Sequence, residues 1–290
     1  MMRRSVILAV LLCAACGAFP TGAPVPDFTV PRPTSMPPVA TPSATPNMVL
    51  LSGPTAATSS VLPAPSPPPA APAAVQAVAA RAHLRVITLS TGVQGRVLIP
   101  AQPAGTAYVL LHGHAAPAAN MDPLAWRLAA DRSASISIAW HPVGITLALG
   151  DIRAGIAVAR TLAPRVVLVG FSMGGYLAVL AAHSTAVDEV VGIEGAYELR
   201  DARVGPLLKG LLGAAYADPA YDVLRLGPLP VPLTIISLTN DDEVYPYTAR
   251  ALAAVCHVPV RWIPGTFHPA PIDPTSTPGK AALAILESLR

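Results

Sequence analysis

One serine stands in a sequence context that suits nucleophilic chemistry. The chain reads GFSMGG over residues 170 to 175, so Ser172 occupies the centre of a G-x-S-x-G pattern. The apolar run VVLVG leads into it and the apolar run YLAVLAA follows it. A nucleophilic serine at a strand-to-helix turn needs small residues on both sides, because the strand and the helix must approach closely. The pattern predicts a nucleophile on a strained turn, and the alternative is an inert serine in a glycine-rich loop.

A serine hydroxyl is a weak nucleophile, so it requires a base and an acid that orients the base. His268 follows the run VPVRWIPG and is the predicted base. Asp242 lies in TNDDEVYPY, after the run VPLTIISL, and its spacing before Pro246 favours it as the acid. Asp241 is the close alternative. The chain order Ser172, Asp242, His268 is one in which such triads occur.

The other histidines are weaker candidates for the base. Some lie at predicted strand ends, where we expect them to line a pocket or bond locally, and the rest precede the sheet, end a helix or open a strand. No spacing among them suggests zinc ligands, and no cofactor is predicted. These residues are His83, His112, His114, His141, His183 and His257.

Acyl transfer also needs hydrogen-bond donors for the oxygen that becomes negative in the tetrahedral intermediate. Met173 follows the serine and is predicted to supply one backbone N–H. The second is expected from the loop after the run LLHG, where Gly113 permits a sharp turn and His114 presents its N–H. The alternative for this loop is an ordinary strand end.

The elements that position these residues follow an alternating pattern. LRVITLS and GRVLIP, joined by a Thr-Gly pair, predict an antiparallel pair of strands. Further apolar runs without polar alternation, separated by helical patterns, predict a mostly parallel, doubly wound sheet with helices on both faces. The predicted strands are AYVLLHG, SASISIAW, RVVLVG, DEVVGIEG, VPLTIISL and VPVRWIPG. The predicted helices are NMDPLAWRLAADR, DIRAGIAVARTLA, MGGYLAVLAAH, VGPLLKGLLGAAYA, YPYTARALAAVC and GKAALAILESLR.

The segment between the sixth predicted strand, DEVVGIEG, and the seventh, VPLTIISL, covers residues 195 to 230 and is short, which predicts a minimal cap over an open cleft. Glu194 and Glu198 lie near the strand that precedes it. We expect solvated or locally bonded roles for both, with contact to substrate as the alternative. Cys256 has no predicted disulfide partner and is expected to be a small buried residue.

Residues 1 to 18 have the features of an export signal: arginines at the start, an apolar stretch, and small residues around a cysteine. Ala14-Ala15-Cys16-Gly17 resembles a bacterial lipobox, so we expect Cys16 to be the lipid attachment site. The protein would then be exported and anchored on the outer side of a membrane. The alternatives are ordinary cleavage near Ala18, which gives a secreted soluble protein, and an uncleaved anchor.

Residues 19 to 82 are rich in proline, alanine and threonine, a composition that predicts a disordered, extended tether. The catalytic domain is then residues 83 to 290.

The net charge of +3 is spread thinly, and no basic cluster has interleaved aromatics, so nucleic acid is not an expected partner. The sequence does not predict an oligomeric state.

Together, the motifs LLHGH, VGFSMGGYLAVLAA, LTNDDEVYP and GTFHP resemble those of serine α/β-hydrolases, in particular compact bacterial esterases of the dienelactone-hydrolase and carboxylesterase type. The resemblance covers residues 83 to 290. It implies an α/β-hydrolase fold and hydrolysis of a small-molecule carboxylic ester through an acyl-enzyme. The alternatives are a peptidase or amidase with the same triad, and a non-catalytic envelope lipoprotein that uses the fold for binding.

Two features, at three positions, depart from that resemblance. His114 and Ala115 stand where esterase loops commonly have glycine, which leaves the shape of the oxyanion loop open. Ser172 stands where dienelactone hydrolases have cysteine, which argues against that particular substrate class.

Overall fold

The computed structural model describes residues 82 to 289. The predicted signal peptide with Cys16 and the predicted tether, apart from its last residue, lie outside the described residues. Ala82 begins the first strand, one residue before the predicted domain boundary.

One sheet organises the described part of the chain. Its strands are β1 (Ala82–Thr88), β2 (Gln94–Pro100), β3 (Thr106–Leu111), β4 (Ala134–Ile138), β5 (Arg165–Phe171), β6 (Glu189–Ile193), β7 (Leu233–Leu238) and β8 (Val260–Ile263). They are arranged in the order β1-β2-β4-β3-β5-β6-β7-β8. Strand β2 pairs antiparallel with β1 and β4. The pairings from β4 through β8 are parallel. The predicted mostly parallel sheet with antiparallel N-terminal strands is confirmed.

Helices cover both faces of this sheet. They are α1 (Asp122–Ala130), α2 (Ile145–Leu162), α3 (Met173–Ala182), α4 (Gly205–Leu212), α5 (Pro246–Cys256) and α6 (Thr277–Glu287). Alternate residues of β3 belong to different apolar clusters: Val109 belongs to the cluster that includes residues of α2, α3 and α5, whereas Tyr108 belongs to the cluster that includes residues of α1 and α6. The period-2 alternation of a strand therefore builds one core on each face.

Helix α3 lies at the centre of the fold, and all ten of its residues are buried. Its approach to the sheet depends on glycine. A Cβ at Gly170 would lie 2.0 Å from the Gly174 carbonyl oxygen, and a Cβ at Gly174 would lie 2.4 Å from the Leu111 carbonyl oxygen. Both clashes are with backbone, which cannot rotate away. The expectation that small residues must flank Ser172 on both sides is confirmed.

Helix α2 begins at Ile145, six residues before the start that the sequence predicted at Asp151. The apolar positions Ile145, Ala148, Leu149 and Ile152 continue the helical spacing and are buried. The sequence contains this periodicity. However, Gly144 precedes the helix and offers no polar side chain as a cap, so no signal in the sequence marks a helix start at Ile145.

The region between β6 and β7 is small, as predicted. The expected helix over residues 204 to 217 is divided at Gly213, which has a φ of 56° and ends α4. A 3-10 helix (Gly213–Ala217) and a 3-10 turn (Pro219–Tyr221) complete this cap. Among residues 82 to 289, no helix is both long and apolar enough to cross a membrane.

The substitution Gly174→Ala should lower the free energy of unfolding by about 3 kcal/mol, because overpacking a buried contact costs roughly 1–3 kcal/mol and backbone atoms block this one. Gly210→Ala is the matched control, since an added Cβ there meets nothing within 4 Å. It should raise stability by up to about 1 kcal/mol through helix propensity. Urea denaturation measures both. Equal stability of Gly174→Ala and the wild type would show that the contact of α3 with the sheet is looser than described.

Candidate active site

Ser172 occupies a strained turn between β5 and α3. Its φ of 56° and ψ of −122° lie in a region that non-glycine residues seldom adopt. Backbone hydrogen bonds hold this conformation: the Ser172 N–H donates to the Ile193 carbonyl at 2.9 Å, and the Ser172 carbonyl accepts from Ala196 at 3.2 Å. The sequence prediction of a strained turn is confirmed. The turn places the serine side chain at a cleft above the carboxyl ends of the strands.

His268 lies in the loop after β8 and is only 2% exposed. Its ring lies 4.7 Å from the ring of Phe171, the residue before the serine. Nδ1 is hydrogen-bonded to Oδ2 of Asp241 at 2.6 Å. Within residues 82 to 289, Nε2 has no hydrogen-bond partner, and His268 lines the same cleft as Ser172. The distal nitrogen is therefore free to bond a hydroxyl in that cleft.

The acid next to the histidine ring is Asp241, so the preference for Asp242 is wrong. The Asp242 carboxylate accepts a hydrogen bond from the backbone N–H of His268 at 3.0 Å, and its side chain is exposed. Adjacent residues in a tight turn point in different directions, so both aspartates contact His268 but only one contacts its ring. Spacing in the sequence does not resolve a shift of one residue.

The buried carboxylate of Asp241 is held by four hydrogen-bond donors. Its Oδ1 accepts from the backbone N–H groups of Glu243 at 2.7 Å and Val244 at 2.8 Å. Burial alone would raise the pKa of Asp241. The bonds from the His268 ring, from Glu194 and from Val244, with the attraction of His268, outweigh burial and hold that pKa below its usual value. The aspartate is therefore ionised at neutral pH.

Arg203 stabilises the loop that presents this aspartate. Its Nη1 donates to the Asp242 carbonyl at 2.9 Å, and its guanidinium carbon lies 3.7 Å from the centre of the Tyr245 ring. Arg203 also lines the cleft. No motif in the sequence links an arginine before α4 to a turn about forty residues later, so Arg203 was not predicted as a residue of the site.

Glu194 lies behind the aspartate, at the end of β6, and is 1% exposed. Its carboxyl group accepts from the Leu238 N–H and from the Ser237 hydroxyl at 3.2 Å, and it is also hydrogen-bonded to Asp241. Burial raises the pKa of Glu194 to about 9, with the bond to Asp241 and the repulsion from it acting in the same direction. Glu198 accepts from the Arg200 N–H at 3.0 Å. Of the roles weighed for these glutamates, local bonding is the one observed.

Donor atoms of Glu194, Asp241 and His268 lie within 4.8 Å of one another, a spacing that a metal ion could use. In this structure their facing atoms are joined by hydrogen bonds, with the ring nitrogen of His268 bonded to one carboxylate oxygen. The cluster is explained as a chain of hydrogen bonds from Glu194 through Asp241 to His268.

The loop after β3 lies against the serine. A Cβ at Gly113 would lie 3.2 Å from the Ser172 Cβ, so glycine permits this approach. His112 holds the loop: its Nδ1–H donates to the Gly113 carbonyl at 2.7 Å, and its ring stacks on Trp140 at 4.9 Å. Burial lowers the pKa of His112, against the opposing effect of the Gly113 bond, so this ring is neutral. His112 is a structural residue of the loop.

The candidate oxyanion donors are near this contact. Met173 is the first residue of α3, and His114 follows Gly113 and lines the cleft. The hydrogen bonds found in residues 82 to 289 include none donated by the backbone N–H of either residue. Ala115 is one of the two residues that stand where esterase loops commonly have glycine. Its φ of 53° is the left-handed conformation that glycine favours.

The other histidines named from the sequence lie away from this arrangement. His141 forms a second histidine–aspartate pair, with its Nδ1 2.7 Å from Oδ2 of the fully buried Asp151. His141 does not line the cleft that contains Ser172. His183 follows α3 and His257 ends α5, where its φ of 55° terminates the helix.

The cleft has a volume of about 510 Å3, within the range of small-molecule sites. Its walls come from the loop after β3, from the loop of the aspartates and from the start of the cap, where Leu207 is exposed. The expected open cleft under a small cap is confirmed.

Several known structures share the fold of this chain. Esterase B from Lactobacillus rhamnosis, bound to a tributyrin phosphonate, superposes with a TM-score of 0.59 at 17% identity over 74% of this chain and 89% of that chain. A hormone-sensitive lipase from a metagenome library has a TM-score of 0.60 at 15% identity, over 74% and 88% of the two chains. An esterase/lipase from an uncultured bacterium has a TM-score of 0.54 at 15% identity, over 78% and 92%.

The chain has the α/β-hydrolase fold. No family model matches it, and no curated protein matches it. At these identities the structural likeness establishes the fold, while the chemistry has to be argued from the residues of the cleft.

Proposed function

We propose that this protein is a serine hydrolase that cleaves carboxylic esters of small molecules. Ser172 is the nucleophile, His268 the general base and Asp241 the acid that orients it. One observation supports this most strongly: the strained Ser172 and the ring of His268 line a single cleft, and the buried Asp241 is hydrogen-bonded to that ring from behind. Esterases and lipases among the structures of the same fold add support.

In the proposed reaction, His268 Nε2 removes the proton from the Ser172 hydroxyl as its oxygen attacks the ester carbonyl. The charge that forms on the carbonyl oxygen is stabilised by the N–H groups of Met173 and His114. The protonated ring, stabilised by Asp241, then gives its proton to the departing alcohol, which leaves an acyl-enzyme. Water, activated by the same nitrogen, attacks this ester and releases the acid.

No hydrogen bond joins Ser172 to His268 among those of residues 82 to 289. Such a bond often forms only when substrate occupies the site. The Asp241 bond fixes the orientation of the ring, and both Ser172 and His268 line the cleft. The pair is therefore oriented before substrate binds.

The geometry favours esters with short or surface-presented acyl groups. The cap consists of α4 and two 3-10 segments, which leave the cleft open. A long acyl chain would need a more enclosed apolar channel. Amide hydrolysis with the same residues is the second candidate, since the triad can also protonate a departing amine.

Ser172→Ala should reduce hydrolysis of p-nitrophenyl butyrate by at least about 10⁴-fold, because the nucleophile is lost while the fold is retained. Ser184→Ala is the matched control, because this exposed serine lies just after α3 and outside the cleft. It should hydrolyse the ester at the wild-type rate. Full activity in folded Ser172→Ala protein would refute the assignment. Comparable turnover of the matching p-nitroanilide would favour the amidase, and folded wild-type protein with no turnover of either would favour a binding protein.

We also propose that the protein is exported and attached to a membrane through lipid on Cys16. The support is the sequence alone: an arginine-containing start, an apolar stretch and the residues Ala14-Ala15-Cys16-Gly17. A lipid with two acyl chains holds a protein stably at a bilayer. The tether would then keep the hydrolase domain away from the membrane surface.

Mass spectrometry of protein extracted from bacterial membranes should find an acylated Cys16 as the first residue. Cys16→Ala should move the protein to the soluble fraction, whereas Cys256→Ala, which changes the buried thiol of the domain, should leave it in the membrane. A free amino terminus near residue 19 on the wild-type protein would contradict lipidation.

A further inference from the structure

The proposed reaction makes no direct use of one buried carboxyl group in the site, that of Glu194. This residue directly follows β6 and has a φ of 49°, and its backbone N–H donates to the Ile236 carbonyl on β7 at 2.9 Å. A buried glutamate that is not paired with a cation needs a reason to be there, because an isolated buried charge is unfavourable. Within residues 82 to 289, no lysine or arginine forms an ion pair with Glu194.

The hydrogen-bond partners of Glu194 determine where its proton resides. One oxygen accepts from the Leu238 N–H and the other from the Ser237 hydroxyl. The remaining bond joins Glu194 to Asp241, and two ionised carboxylates cannot share a hydrogen bond without a proton. Asp241 already accepts from the His268 ring and from two backbone N–H groups, which favours its ionised form. The shared proton therefore belongs to Glu194.

The charged and titratable groups around Glu194 agree with this placement. Asp241 and His268 face it from the loops after β7 and β8. Tyr197, from the loop after β6, is fully buried, and burial together with Glu194 raises its pKa so far that it remains neutral. Burial also raises the pKa of Cys256, which lies near Tyr197. Asp241 is therefore the one anion among these groups at neutral pH.

We propose that Glu194 is a positioning residue that stays protonated during turnover and donates a hydrogen bond to Asp241, which fixes the aspartate toward the His268 ring. This inference rests on the proposed function of Ser172, His268 and Asp241. A neutral donor restricts rotation of the Asp241 carboxylate without adding a second negative charge beside the histidine. A protonated buried acid that donates to a catalytic group is an established device in enzymes.

Three glutamate substitutions separate the possible roles. Glu194→Gln keeps a neutral donor toward Asp241, so it should retain kcat within about 3-fold and leave the acid limb of the kcat/KM pH profile unmoved. Glu194→Leu removes the donor and should lower kcat by roughly 10- to 100-fold, with KM changed by less than about 3-fold. Glu198→Gln, on the same loop and bonded only to Arg200 among the described residues, is the matched control and should leave both unchanged.

Two kinetic outcomes would overturn the proposal. If Glu194 is ionised in the wild type, Glu194→Gln removes a negative charge near His268, so the acid limb moves to lower pH by half a unit or more, roughly 0.7 kcal/mol. If Glu194→Leu retains wild-type kcat, the group does not position the aspartate. If Glu194→Leu fails to fold, Glu194→Gln and the infrared measurement below decide.

Infrared difference spectroscopy tests the protonation state without relying on activity. Ser172→Ala protein at neutral pH should show the C=O stretch of a buried protonated carboxylic acid, and the band should be absent from the double variant Ser172→Ala/Glu194→Gln. Lack of the band in Ser172→Ala protein would refute a protonated Glu194. Because this variant needs no turnover, failure of the hydrolase assignment and failure of the Glu194 proposal remain distinguishable.

Discussion

The hydrogen bond between Asp241 and the His268 ring is the interaction on which the site depends. It joins the loop after β7 to the loop after β8 and spans 2.6 Å in a buried environment. The low local dielectric strengthens such a bond, and it also makes loss of either partner costly. The surrounding contacts serve to hold it: Arg203 and Tyr245 brace the aspartate loop, and Phe171 packs on the histidine.

The fold brings the serine to this pair through close backbone contacts. Helix α3 has no solvent-facing side, and glycines at positions 170 and 174 let it approach β3 and β5 closely enough to force the strained conformation of Ser172. The strain is maintained because neighbouring strands and the Ala196 N–H hold both sides of the turn. Parallel strands end at one edge of the sheet, so the serine, the histidine and the acid meet there although they are far apart in the sequence.

The sequence was sufficient for the sheet, the strained serine, the histidine and the small cap, because apolar periodicity and a glycine pattern encode them. It was not sufficient to choose between Asp241 and Asp242, since the direction of a side chain in a tight turn depends on backbone dihedrals that spacing does not specify. Glu194 was noticed only as a polar residue at a strand end. Its burial and its bond to Asp241 depend on contacts between separate strands, which no local pattern reveals.

A direct test of the account compares Asp241→Asn with Asp242→Asn in steady-state ester hydrolysis. Asn at position 241 can present an N–H to Nδ1 in place of a carboxylate and favours the wrong tautomer of the ring, so kcat/KM should fall by at least about 10³-fold. Asn at position 242 still accepts the backbone N–H of His268, so kcat/KM should stay within about 10-fold of the wild type. The reverse order, with Asp242→Asn inactive and Asp241→Asn active, would contradict the account.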